Sequence, residues 1–333
     1  MFHKLHGLAS LALRGAGALA MASGRGRRLS ILVYHRVLPR SDAMLAGEVE
    51  AAAFDWQMAL LAEHFQVLPL SEAVRRLRDG SLPTRAACVT FDDGYADNHD
   101  IALPILQKWR LPATFFIATA YLDGGWMWND VVIEALRQAR GEVLDLEPLG
   151  LPTYSLTTFR LRSEAAMSIL KRLKYLPPDQ RQNAVSQVCR SASAELPASP
   201  MMSAGQVRAL HNAGMEIGGH TVSHPILAGL QPEQAYAEIA TGKEQLEHIA
   251  GGAVRLFAYP NGKPGMDYQP EHVEMVKRIG FAAAVSTAWG AADPDSDFYQ
   301  LPRFTPWDAT PLRFGLRLLQ NARREAERVA DVG

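Results

Sequence analysis

Ala87-Cys88-Val89-Thr90-Phe91-Asp92-Asp93-Gly94-Tyr95 is the stretch on which the reading of this chain turns. A short run of apolar and β-branched residues stops abruptly in two carboxylates and a glycine, the pattern of a buried strand entering a tight turn. Successive side chains of a strand point to opposite faces. At a strand end that turns into a loop, both aspartates can nevertheless reach one cavity, and Gly94 supplies the backbone freedom for the turn. Paired carboxylates suit a site where one ligates a cation and the other takes a proton from water. Alone, Asp-Asp-Gly is more often a plain turn or helix cap, so the rest of the chain decides.

Similar strand-type runs occur at Leu29–Tyr34, Ala113–Ala118, Glu216–Gly218, Arg255–Tyr259 and Ala282–Ser286. Between them lie segments of helical period: Phe54–His64, Ser71–Arg78, Asn98–Trp109, Ala204–Ala213, Pro232–Ile249 and Pro270–Ile279. In the first of these helices Phe54, Met58 and Leu61 share one face, as a helix lying on a sheet requires. This alternation predicts an α/β fold with a mainly parallel sheet. Tyr121–Pro200 breaks it, with helical patches separated by Gly150-Leu151-Pro152 and Pro177-Pro178, and reads as an insertion after the third strand. Leu312, Leu316 and Leu319 give a packing helix over Leu312–Val329.

Gly218-Gly219-His220-Thr221-Val222-Ser223-His224-Pro225 also follows a strand-type run. Two histidines four apart on a tight turn or short helix project to the same side. Both imidazoles can then meet one metal, and an Asp with two His leaves positions open for water and substrate. A His-x-x-x-His pair alone is a weak signal; its strength comes from sharing with Asp-Asp-Gly the place just past a strand. A third strand end, Arg255-Leu256-Phe257-Ala258-Tyr259-Pro260-Asn261-Gly262, exits sharply through proline and glycine.

At 333 residues the chain fits one large barrel-type core with decoration, and 48% hydrophobic residues suffice to build that core. A formal charge of −1 provides no field to gather a polyanion, so a nucleic-acid partner is not expected. Two cysteines, Cys88 in an apolar run and Cys189, indicate neither a disulfide framework nor a thiolate metal site. Residues 1–28 read as a basic amphipathic segment touching a membrane surface or the protein itself. A cleaved leader is the alternative: Ala20-Met21-Ala22 offers a cleavage site, but Arg14 and Gly15 interrupt the apolar centre. A cytoplasmic or membrane-peripheral location is therefore expected, with export to the periplasm as the alternative.

Thr-Phe-Asp-Asp-Gly and His-Thr-x-x-His-Pro together resemble the polysaccharide deacetylases of carbohydrate esterase family 4, the group with the nodulation-protein-type deacetylase domain. The resemblance covers roughly residues 29–119 and 201–304. It implies a distorted (β/α)7 barrel, here over 29–310, carrying a largely helical insertion at about 121–200 and followed by a C-terminal helix and tail over 311–333. By that resemblance Asp92 is the catalytic base, and Asp93, His220 and His224 hold one divalent metal, usually zinc. The implied activity is hydrolysis of N-acetyl groups on an amino-sugar polymer, with the Tyr95 backbone amide donating to the oxyanion. Tyr259, Pro260 and Asn261 belong to the third motif and are expected at the substrate.

Two positions depart from the family pattern. Its third motif often places an arginine after the phenylalanine to hold the base, and here that residue is Ala258. Arg303, in Leu301-Pro302-Arg303, is either the replacement or a surface arginine. The family's C-terminal Leu-x-His, source of the general acid, is absent; His35, ending the strand Ile31-Leu32-Val33-Tyr34, takes that role if the first strand neighbours the last, as in poly-N-acetylglucosamine-type deacetylases. Trp126 and Trp128 open the insertion, where they either line a sugar groove or anchor the insertion. Competing functions are a same-fold metal hydrolase acting on a lipid-linked sugar, cell-wall glycan or small amide, and a non-catalytic carbohydrate-binding protein.

Overall fold

The computed structural model describes residues 28–324. The basic segment expected over 1–28, apart from Arg28, and the far end of the expected C-terminal helix lie outside the described residues. Contacts divide the described residues into two units: one comprising residues 28–40, 48–120 and 202–324, the other residues 41–47 and 121–201. The seven-residue piece 41–47 belongs with the insertion, a partnership that local sequence does not announce.

Six strands build the main sheet of the first unit: β1 (Leu29–Tyr34), β2 (Ala86–Phe91), β3 (Thr114–Ile117), β4 (Glu216–Gly219), β5 (Leu256–Ala258) and β6 (Ala283–Val285). They pair in chain order, all parallel, and a two-residue strand, Gln66–Val67, joins the start of β2. Residues 301–304 then span from the last strand back to the first. Ser286 N donates to Leu301 O at 2.8 Å and Val33 N to Phe304 O at 3.0 Å, while Phe304 N returns a bond to Ile31 O at 3.0 Å. The sheet thus curls into a ring with a seventh stave, in agreement with the α/β barrel the sequence suggests.

Ten helices occur among the described residues. They are α1 (Ala51–His64), α2 (Leu70–Arg78), α3 (Leu103–Trp109), α4 (Trp128–Gln138), α5 (Phe159–Leu173), α6 (Pro178–Ala192), α7 (Ala204–Asn212), α8 (Pro232–Ala250), α9 (Pro270–Ile279) and α10 (Pro311–Asn321). The single helix expected over Asn98–Trp109 is instead a π-helical turn, Asn98–Ala102, running into α3. Pro104 accounts for the change: it lacks an N–H and its ring would crowd the carbonyl four residues back, which a widened turn avoids. Among the described residues, no helix is long and apolar enough to cross a membrane.

Register decides what the ring encloses. Leu29, Ile31 and Val33 align with Ala86, Cys88 and Thr90, Thr90 with Thr114, Phe116 with Gly218, Ala258 with Val285, and Val285 with Leu301. Side chains from this set form a buried cluster with Leu70, Ala73, Val74 and Leu77 of α2. The opposite parity faces the outer helices: Phe91 stacks on Phe115 at 4.7 Å, and Phe54 of α1 packs edge-on against Tyr34 at 5.2 Å. At the other end of the strands Glu216 accepts from Thr114 Oγ1 at 2.8 Å and from the Ser71 hydroxyl, fastening the start of α2.

The second unit has its own core, in which Val132, Leu136, Ile169, Val185 and Val188 from α4, α5 and α6 are buried together. Arg162 of α5 donates to the carbonyls of Leu136, Arg137 and Ala139, at 2.8, 2.9 and 3.1 Å, satisfying the end of α4.

Gly218 is small because Phe116 needs the space: a Cβ there would lie 2.4 Å from the Phe116 ring and 3.2 Å from the Leu256 carbonyl. Phe116 is fully buried and has nowhere to retreat. Gly218→Ala is expected to lower unfolding free energy by about 1–3 kcal/mol, read as a reduced urea midpoint at an unchanged m-value.

Candidate catalytic and metal site

The inward parity of β2, continued one step past Thr90, carries Asp92 into the ring. There Arg303, buried on the seventh stave, grips it with two hydrogen bonds: Nη1 to Oδ1 at 2.8 Å and Nη2 to Oδ2 at 2.7 Å. The same guanidinium donates from Nη1 to Thr90 Oγ1 at 3.2 Å and from Nε to Ser286 O at 3.0 Å. Burial raises the pKa of Asp92, but Arg303, His220 and His35 outweigh it, so the carboxyl is held below its usual range. Arg303 is therefore no surface arginine: it holds Asp92 from a stave other than the one carrying Ala258.

Asp93 should face outward by strand alternation, yet its φ of 78° and the φ of 97° at Gly94 swing the chain round. Only glycine fits at position 94, since a Cβ would sit 3.0 Å from Ile117 Cγ2 in a left-handed backbone. Beyond β4, His220 keeps the inward parity, and Thr221 and His224 take φ values of 66° and 52°. The result brings three donors together: His220 Nε2 lies 3.4 Å and His224 Nε2 3.3 Å from Asp93 Oδ1.

The trio fits a divalent cation. Two ligand atoms each about 2.1 Å from a tetrahedral ion lie about 3.4 Å apart, the spacing found here. Asp93 Oδ1 is buried and has no hydrogen-bond partner, a costly state for a carboxylate oxygen that a cation would relieve. His220 Nδ1 donates to Ala258 O at 2.7 Å, leaving Nε2 as the ligating nitrogen. Burial, opposed by Asp93, pushes His224 down to about 4, so its imidazole is neutral and able to ligate at neutral pH.

The histidine loop is held from behind by α8. Glu238 accepts from Val222 N at 2.9 Å, Ser223 N at 2.8 Å and Ser223 Oγ at 2.6 Å. One turn along, Gly242 lets the helix touch the loop backbone, where an added Cβ would be 2.8 Å from the Thr221 carbonyl carbon. Neither residue is visible in the sequence as a site residue, because both act across a long separation and carry no motif.

His35 follows β1, whose Tyr34 O accepts from Asp92 N at 3.0 Å. Burial pulls its pKa down, but Asp93, Asp92 and Glu48 together raise it above the ordinary histidine value, so the imidazole shares the field of both aspartates. Tyr95 is buried with its ring 4.7 Å beneath the Arg36 guanidinium.

Tyr259 is a correction. Expected at the substrate, it is fully buried, stacks on Tyr268 at 3.8 Å and donates its hydroxyl to Tyr299 O at 3.0 Å. Parity explains this: Ala258 faces inward, so Tyr259 faces out toward the helices. Pro260 is also buried, while Asn261 is half-buried with a φ of 59°. Trp128 packs on the second unit's own core, with Arg181 5.1 Å over its ring; Trp126 is half-buried in the same unit.

The polysaccharide deacetylase family model matches residues 79–143 and 180–284, about half of the chain. The chain belongs to the polysaccharide deacetylase family. It is thus a hydrolase, a polysaccharide deacetylase. It is 22% identical to the putative polysaccharide deacetylase YxkH of Bacillus subtilis, over 83% of this chain and 70% of that protein. A poly-β-1,6-N-acetyl-D-glucosamine N-deacetylase of Staphylococcus epidermidis is 32% identical over 27% of this chain, a match spanning only 36% of that protein. Among solved structures, the Streptococcus pyogenes deacetylase PplD, in complex with acetate, shares the fold with TM-score 0.58 and 20% identity, covering 89% of this chain and 98% of that one. IcaB from Ammonifex degensii matches with TM-score 0.56 at 20% identity over the same shares.

Gly242→Ala tests the support of the histidine loop. In a helix interior this exchange ordinarily stabilises by about 1 kcal/mol. Here the expected outcome is weaker zinc binding by about 10- to 100-fold, measured by titration against a competing chelator.

Proposed function

We propose that this deacetylase removes N-acetyl groups from an amino-sugar polysaccharide of the poly-N-acetylglucosamine type, using one divalent metal ion, with zinc the favoured candidate. The observation that carries the reading is the Arg303–Asp92 pair beside the Asp93, His220 and His224 trio, because it presents an ionised base next to a site of cation-ligating chemistry. Asp93, His220 and His224 would hold the cation. When bound, it supplies a Lewis acid that polarises the acetyl carbonyl and acidifies water.

The chain's own groups perform the proton transfers. Asp92, locked in place by Arg303, takes the proton of the attacking water as its oxygen bonds to the acetyl carbon. The Tyr95 backbone amide would donate to the oxyanion. As the carbon–nitrogen bond breaks, His35 gives a proton to the sugar nitrogen, which leaves as an amine while acetate remains. A depressed base pKa and a raised acid pKa are the order needed for both to be in working form near neutrality. The S. epidermidis relative is named for an amino-sugar polymer, which supports the substrate class.

Acetate release from poly-N-acetylglucosamine fragments and chito-oligosaccharides is the direct test. Expected are loss on chelation, recovery with zinc, and a fall of at least about 10²-fold in Asp92→Asn. Release that survives chelation removes the metal; a filled metal site with no acetate from either polymer removes the substrate assignment. Arg303→Met strands a buried carboxylate, so stability should fall by about 3–5 kcal/mol. Residual activity should lose its acid limb at higher pH than wild type, because the Asp92 pKa, no longer held down, rises.

A further inference from the structure

The C-terminal helix does not bury the face that its spacing offers. Leu312, Leu316 and Leu319 recur at helical spacing, yet the residues of α10 that pack inward include Phe314, Gly315, Leu318 and Asn321. Phe314 meets Trp56 of α1 edge-on at 5.6 Å, and Asn321 Nδ2 donates to Ser30 Oγ of β1 at 3.5 Å. The leucine stripe lies on the other side: Leu316 is 45% exposed, with Leu312 and Leu319 half-buried at its edge. A helix that needed only to pack would carry polar residues there.

An aromatic pair stands beside the stripe. Trp307 is 57% exposed, and its ring leans on that of Trp289 with centroids 5.2 Å apart. Arg317 of α10 lies 5.1 Å over Trp307, and Arg324, just past the helix, lies 5.5 Å over Trp289. From residue 309 to residue 324 the chain carries Arg313, Arg317, Arg323 and Arg324 and no acid. Arg317 is matched by Asp308, Nη2 to Oδ1 at 3.0 Å, while Arg313 and Arg323 are exposed. β1 starts beside Arg324: Leu29 N donates to Ala292 O at 2.8 Å, and Ala291 N to Arg324 O at 3.4 Å. The sequence leading into β1, residues 1–27, holds Lys4, Arg14, Arg25 and Arg27 and again no acid.

We propose that this flank rests on an anionic membrane surface, with Trp307 and Leu316 entering the headgroup region while Arg313, Arg323 and Arg324 meet lipid phosphates. Indole rings favour that depth because they pair an apolar body with a polar N–H. Arginine stems lie along apolar surface while their guanidinium groups reach phosphate. A leucine stripe set between arginines is the composition of a helix that lies in a membrane interface. A neutral amino-sugar polymer would use the tryptophans but has nothing to match the arginines, and its deacetylated form, a polycation, would be repelled by them. Nothing in this placement depends on which substrate the ring takes.

Flotation of the full chain with vesicles tests this, using phosphatidylcholine alone or mixed with phosphatidylglycerol. Binding should be confined to the mixed vesicles and weaken as salt is raised. Arg313→Gln combined with Arg323→Gln should lower the partition coefficient about 10- to 30-fold, and Trp307→Ala about 3- to 10-fold, with the circular dichroism spectrum of each unchanged. Acetate release from a soluble oligosaccharide should be the same in these variants as in wild type. Equal binding to both vesicles, no binding to either, or binding that the variants retain in full would overturn the proposal; the last would hand the contact to another part of the chain. Without vesicle binding, retention on an amino-sugar polymer that is lost in Trp307→Ala would make the flank a sugar platform instead. A concentration-dependent dimer that Leu316→Glu dissolves would make it a contact between two copies.

Discussion

A guanidinium and a carboxylate removed from water at the centre of the ring set the terms for everything around them. Burying both charges costs several kcal/mol each, and Arg303 and Asp92 offset this through paired short hydrogen bonds, with Thr90 and Ser286 taking further guanidinium hydrogens. Those partners lie on β2, just beyond β6 and on the seventh stave. The charge pair and the closure of the sheet are therefore one structural event, with the backbone bonds of residues 301–304 and the side-chain bonds of Arg303 supporting each other. Any shift of the closing stave would loosen Asp92.

Around that fixed pair the chain accepts backbone strain. Asp93, Thr221, His224 and Asn261 all have positive φ, a conformation uncommon outside glycine, and all lie just beyond strand ends. At Asp93 and His224 the strained turns bring side chains together with His220 that strand alternation alone would not. Bonds from outside hold them: Ala118 N to Asp93 O at 3.2 Å, His224 N to Thr221 Oγ1 at 3.1 Å, and the Glu238 grip on residues 222 and 223. Rigid strands position the chemistry, and strained exits aim it.

How much of this is readable in the sequence depends on the range of the interaction. Strand positions, the aspartate pair and the histidine pair are legible because each is a local pattern: an apolar run, a turn residue, a spacing of four. The insertion is legible as a break in alternation, but its link to residues 41–47 is not, since nothing local marks that stretch. Arg303 can be suspected but not separated from a surface arginine without knowing which staves close the ring. Tyr259 is misread because its motif outweighs strand parity, although Ala258 beside it already implied that the tyrosine faces away. The Pro104-driven π turn and the supports from Glu238 and Gly242 depend on packing between distant segments, which no window of sequence contains.

The place of Arg303 on the closing stave also bears on how the protein is made. During synthesis β2 leaves the ribosome long before residue 303, so Asp92 has no arginine partner for most of translation. A nascent chain holding only the first strands cannot bury that carboxylate in its ionised form at low cost, and the top of the ring must stay wet until the last stave arrives. The setting of Asp92 is thus tied to completion of the barrel, and a chain made only as far as residue 302 leaves Asp92 without its arginine even with Asp93, His220 and His224 in place.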